Sequence, residues 1–127
     1  MAEYIIHCSD APNGRKDTAA DVHRWHKERG WDGIGYHYFI TVDGHIECGR
    51  PEYWVGAHCR GHNEKIGVCL AGKDKFTDCQ QKALKLLINH NATSVRGHYQ
   101  YDKGKTCPNF NVEHWFYNGG DWPLLEV

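Results

Sequence analysis

Residues 95 to 108 read Val-Arg-Gly-His-Tyr-Gln-Tyr-Asp-Lys-Gly-Lys-Thr-Cys-Pro, which sets His98 and Cys107 nine residues apart and puts Lys105 two before the cysteine. Imidazole and thiolate are both good ligands for zinc. A structural zinc site is closed by four protein ligands on short paired motifs, whereas a catalytic zinc takes three and leaves one position for water. This segment has no second cysteine close by, so it supplies two ligands of an open set. The third must come from elsewhere, and the best candidate is His7, after the apolar run Tyr4-Ile5-Ile6 and before Cys8-Ser9-Asp10.

Each residue also has a plainer explanation. A histidine at a strand end commonly bonds to backbone, and a lysine in a turn is commonly solvated. The joint placement favours the metal. With Lys105 and a metal nearby, Cys107 would stay deprotonated. On an extended stretch Lys105 and Cys107 point the same way, so the ammonium would overhang the metal and stabilise negative charge on a carbonyl oxygen during hydrolysis. Tyr36, in Gly35-Tyr36-His37, is by type alone a core residue.

The elements that must position these groups can be read from periodicity. Tyr4 to Cys8 is a short strand covered on both faces, with His7 near its carboxyl end. Thr18 and Asp21 have the spacing of a capping box, Val22, Trp25, His26 and Arg29 recur at helical spacing, and Gly30 stops a helix over residues 19 to 29. Residues 33 to 42 alternate, Asp43-Gly44 is a hairpin turn, and residues 45 to 50 return. Alternation along the first strand puts Tyr36, Tyr38 and Ile40 on one face and His37, Phe39 and Thr41 on the other. Residues 53 to 65 lack periodicity and form a long loop of a length that is often functional. A strand over 65 to 71, a second capping box at Thr77 and Gln80, a helix to about Asn91, a strand over 93 to 97 and a short helix over 111 to 117 complete the order. Such an order predicts an α/β fold, a mixed sheet with helices packed on it and sites at the carboxyl ends of strands, where His7 and His98 both fall.

Composition narrows the function. The 127 residues suit one domain over 1–127. Fifteen Lys and Arg against 16 Asp and Glu give a net charge of -1, so no broad electropositive face offers itself to nucleic acid. No apolar stretch approaches membrane-spanning length, and no basic-then-apolar leader opens the chain. Production in a reducing cytoplasm follows, and with it the expectation that all six cysteines are thiols rather than three disulfides.

Six segments together carry a resemblance. Ile6-His7-Cys8-Ser9, Trp25-His26-Lys27-Glu28-Arg29-Gly30-Trp31, Gly35-Tyr36-His37-Tyr38-Phe39-Ile40, Val55-Gly56-Ala57-His58, Ile66-Gly67-Val68-Cys69-Leu70 and Cys107-Pro108-Asn109-Phe110 resemble the zinc-dependent N-acetylmuramoyl-L-alanine amidases. That family includes phage endolysins and peptidoglycan recognition proteins, and the likeness runs from residue 4 to about 116. It implies a single domain with a central mixed sheet, flanking helices and a zinc-containing cleft. It also implies that His7, His98 and Cys107 hold Zn2+, that Tyr36 and Lys105 are catalytic, and that His58 belongs to the substrate groove. The expected activity is hydrolysis of the amide between N-acetylmuramic acid and L-alanine in peptidoglycan, by a monomer that reaches the cell wall after the membrane is permeabilised. Likeness to the phage members further implies a second role, binding and inhibiting a phage RNA polymerase. The alternative is a peptidoglycan-binding module without catalysis; non-catalytic members lack the cysteine that this chain keeps. One departure is Tyr99, where some relatives have a second histidine after the ligand.

Overall fold

Tyr4, Ile5 and Ile6 are apolar in succession, and a strand built of them must be covered on both faces. In the computed structural model, which describes residues 2–88 and 92–118, that strand is β1 (Ala2–Cys8), buried from Tyr4 through Cys8. It lies between two parallel neighbours, β4 (Ile66–Leu70) and β5 (Ala92–Gly97). Beyond β4 come β2 (Tyr38–Ile40), also parallel, and β3 (Ile46–Cys48), antiparallel to β2, so the five strands run β3-β2-β4-β1-β5 in a mixed sheet.

Strand alternation divides the core in two. Tyr4 and Ile6 of β1, Ile66, Val68 and Leu70 of β4 and Val95 of β5 face Ala83, Leu84 and Ile88 of α2 (Asp78–Ile88) and Val112 and Trp115 of α3 (Val112–Asn118). On the opposite face Phe39 and Cys69 meet Val22 of α1 (Ala19–Glu28). The crossovers β1–α1–β2 and β4–α2–β5 thus run in opposite directions over opposite faces, leaving from the carboxyl ends of the neighbouring strands β1 and β4.

Both capping boxes form. The Asp21 N–H donates to Thr18 Oγ1 at 3.3 Å and the Thr18 N–H to Asp21 Oδ2 at 2.8 Å. At α2 the Gln80 N–H donates to Thr77 Oγ1 at 3.1 Å and the Thr77 N–H to Gln80 Oε1 at 2.9 Å. Gln80 is fully buried, and its Nε2 also donates to Ala71 O at 2.8 Å and Ile40 O at 3.3 Å, tying the helix start to the ends of β4 and β2. The expected end of α2 near Asn91 and the tail from residue 119 lie outside the described residues.

The hairpin is shorter than its alternation predicts. Residues 33 to 37 lie outside β2: the Ile34 N–H donates to His23 Nδ1 at 3.0 Å and the Gly35 N–H to His26 Nδ1 at 2.9 Å, while Tyr36 O and His37 O still accept the N–H groups of Arg50 and Gly49. Tyr36 does not share a face with Tyr38 and Ile40. It packs with Phe39 and Val22, on the α1 side of the sheet. Among the described residues no helix is long and apolar enough to cross a membrane, and all six cysteines are free thiols.

Candidate metal centre and cleft

Register brings the ligands together. Ile6 pairs with Gly97, so His7, next on β1, lies beside His98, which begins the single 3-10 turn (His98–Gln100) after β5. Their ring centroids are 4.6 Å apart. Cys107 returns to the same spot because the Tyr99 N–H donates to Cys107 O at 3.1 Å, closing the loop that separates them. The Cys8 N–H then donates to Cys107 Sγ at 2.9 Å, a bond that suits a thiolate. The ligand atoms of His7, His98 and Cys107 all lie within 4.8 Å of one another. Around a tetrahedral zinc such atoms stand roughly 3.3 to 3.8 Å apart, so closing the set asks each side chain for a shift of about an ångström or less. Two imidazoles and one thiol, with no fourth protein ligand in the set among the described residues, make a three-donor site that can hold a metal and leave a position open.

Protonation favours ligation by the histidines. Burial, then the His58 and His98 rings beside it, holds His7 well below the ordinary histidine value and favours the neutral ring. Burial lowers His98 too, with the Lys105 ammonium opposing the pull of Asp102. The Cys107 thiol is pushed up by its hydrogen bond with the Cys8 thiol and by burial, so a metal must displace a proton to bind there.

The centre forms the floor of a cleft of about 660 Å³. One wall is α1 and its exit, with Trp25, His26, Arg29 and Trp31; the other is the loop after β3, with His58, Arg60 and Asn63; Lys105 and Thr106 stand at the end. Tyr36 lies 5.2 Å from His7 between ring centroids. Burial of its phenol, followed by the Cys69 and Cys107 thiols nearby, raises it well above the ordinary tyrosine value, which favours the protonated phenol. Lys105 is exposed and closes a turn, its N–H donating to Asp102 O at 3.0 Å. It lines the same cleft as Cys107.

His58 stands in the wall of the cleft. Only 9% exposed, it has both ring nitrogens bonded within the protein, Nδ1 to His7 Nε2 at 2.9 Å and Nε2 to Lys65 O at 2.8 Å. Tyr99 points away from the cleft: its ring packs on the α2 and α3 side of the sheet and its hydroxyl accepts the Val112 N–H at 3.2 Å.

Two supporting residues carried no role in the sequence reading. His26 accepts the Gly35 N–H and so fixes the backbone next to Tyr36; its signal was its position four residues after Val22 on the buried face of α1. Asn63 Oδ1 accepts the N–H groups of His58 at 2.7 Å and Cys59 at 2.8 Å, and one asparagine in a polar loop gives no such sign.

This fold and three-donor cleft define a class. Residues 3–110 match the family model described as N-acetylmuramoyl-L-alanine amidase, and the chain belongs to that family and is an amidase. Among its relatives, the endolysin of Escherichia phage T7 is 36% identical over 88% of this chain and 83% of its own length. The solved N-acetylmuramoyl-L-alanine amidase LysC from Clostridium intestinale URNW superposes with a TM-score of 0.75 at 32% identity, covering 87% of this chain and 78% of that one. Drosophila PGRP-LB superposes with a TM-score of 0.79 at 28% identity, covering 95% and 83%.

Proposed function

We propose that the protein is a zinc-dependent endolysin that hydrolyses the amide between the lactyl group of N-acetylmuramic acid and L-alanine in peptidoglycan. The observation that carries this reading is the convergence of His7, His98 and Cys107 on the floor of the cleft, in a chain of the amidase family. Zinc held there would polarise the scissile carbonyl and acidify a water.

The chain's own residues divide the remaining work. Lys105, an exposed ammonium at the end of the cleft, stabilises the negative charge that develops on the carbonyl oxygen. Tyr36 keeps its proton and donates a hydrogen bond to the oxygen that gains charge or to the attacking water. Trp25 and Trp31 give the α1 wall flat apolar faces for the sugar, while Arg29 and Arg60 offer charge to the carboxylates of the peptide.

Zinc analysis of the purified chain with activity before and after chelation tests the proposal. One zinc per chain, loss of activity on chelation and recovery on adding zinc are expected; full activity without metal would refute it. The protein is further proposed to be one amidase domain, monomeric, made in the cytoplasm and acting on the wall once the membrane is breached. Inhibition of a phage RNA polymerase rests on the likeness to phage endolysins, and a drop in run-off transcription on adding the protein to its phage's polymerase is the corresponding test.

A further inference from the structure

We infer that His58 is a positioning residue which sets the tautomer of His7, so that His7 turns Nδ1, and not Nε2, toward the metal. The inference rests on the metal-amidase reading and adds to it the residue that orders the site.

Lys65 O can only accept, so the 2.8 Å contact requires a proton on His58 Nε2. A neutral imidazole carries one N–H, which leaves His58 Nδ1 as an acceptor. Its partner at 2.9 Å, His7 Nε2, must then be the donor. A neutral His7 protonated at Nε2 has its lone pair on Nδ1, and that lone pair is what remains for the metal. A single backbone carbonyl thereby fixes two tautomers in series. The two rings meet at 88°, centroids 5.0 Å apart, so the His7 ring is held in rotation as well as in protonation.

The surroundings are shaped to keep His58 there. A Cβ on Gly67 would lie 2.6 Å from His58 Cγ, and one on Gly56 would lie 2.6 Å from its Cδ2. Glycine on the central strand β4 gives the imidazole room to lie against the backbone. The loop that carries His58 is anchored from the other side by His37, which accepts the Gly67 N–H at Nδ1 (3.0 Å) and donates from Nε2 to Trp54 O (2.8 Å). Asn63 holds the His58 backbone. His58 is therefore fixed at its ring and at its main chain, as expected of a group that orients a ligand.

Zinc affinity by chelator competition, in the parent and in His58→Ala and His58→Asn, tests the inference. The alanine variant should bind zinc roughly 10- to 100-fold more weakly. Asparagine, whose Oδ1 can accept from His7 where Nδ1 did, should recover most of that loss. Imidazole nitrogen NMR of the zinc-loaded parent reads the tautomer directly and depends on no variant: His7 should carry its proton on Nε2 and ligate through Nδ1. Ligation through Nε2, or an alanine variant that holds zinc as tightly as the parent, would overturn the inference and leave the amidase reading standing. A parent chain that binds no zinc would instead overturn the reading on which it rests.

Discussion

Cys107 receives a backbone N–H from Cys8 and shares its surroundings with two imidazoles, whereas Tyr36 and Lys105 stand nearby without joining the donor set. These two kinds of residue should fail differently. Cys107→Ala should lose both zinc and activity. Tyr36→Phe and Lys105→Ala should keep zinc and fold yet turn over roughly a hundredfold more slowly or worse, the loss typical of a removed oxyanion donor. Zinc content and initial rate on peptidoglycan distinguish them, and near-normal rates in both would remove Tyr36 and Lys105 from the chemistry. His7, Tyr36 and Cys107 were legible because each stands in a segment that carries the family resemblance, and His98 and Lys105 because of their spacing before Cys107 in the run from 95 to 108. The setting of His58 was not legible, since no spacing announces that a loop histidine will bridge a strand histidine 51 positions away.

At the scale of elements, what positions the site is a set of buried polar side chains on strand and helix ends. Gln80 bonds Thr77, Ala71 and Ile40 with no exposure at all. Gln80→Ala should strand those backbone groups and cost about 2 to 3 kcal/mol in urea unfolding, without altering zinc affinity. Gly67→Ala should do the reverse in part: its Cβ would press on His58, so zinc binding should weaken although no ligand has changed. Unaltered zinc affinity in Gly67→Ala would show that the His58 ring has room to yield. The capping boxes, the buried central strand and the hairpin turn could be read directly because each depends on side chains a few residues apart. The truncation of β2 could not, because the groups that take its N–H donors, His23 and His26, come from a helix that precedes it.

For the whole molecule, the sheet order could not be read from local pattern, since only tertiary pairing decides that β1 lies between β4 and β5; the mixed sheet with flanking helices was expected and is found. Burying several neutral histidines has a cost in acid. Burial lowers His58 to about 4, and His26 is likewise lowered to about 4, first by its own burial and then by Arg29 and Arg50. Because the unfolded chain takes up these protons first, at the ordinary histidine value, the stability is complete above that value and is lost as pH falls toward 4. His58 alone should cost about 2 kcal/mol by pH 5. Urea melts at pH 7 and pH 5 read this out, and equal stabilities would contradict it.

The central claim is that this cleft cuts an amide and not a glycosidic bond. Glycoside hydrolysis ordinarily uses two carboxylates flanking the bond; of the carboxylates that line this cleft Asp102 accepts the Gly104 N–H and Asp10 pairs with Lys73, whereas the convergent donor set is two histidines and a cysteine. The most direct test is the end-group chemistry of purified peptidoglycan digested with the zinc-loaded protein. New free amino groups on L-alanine without new reducing sugar ends, abolished by chelation, are the predicted result. Reducing ends without new amino groups, or binding with neither product, would contradict the account.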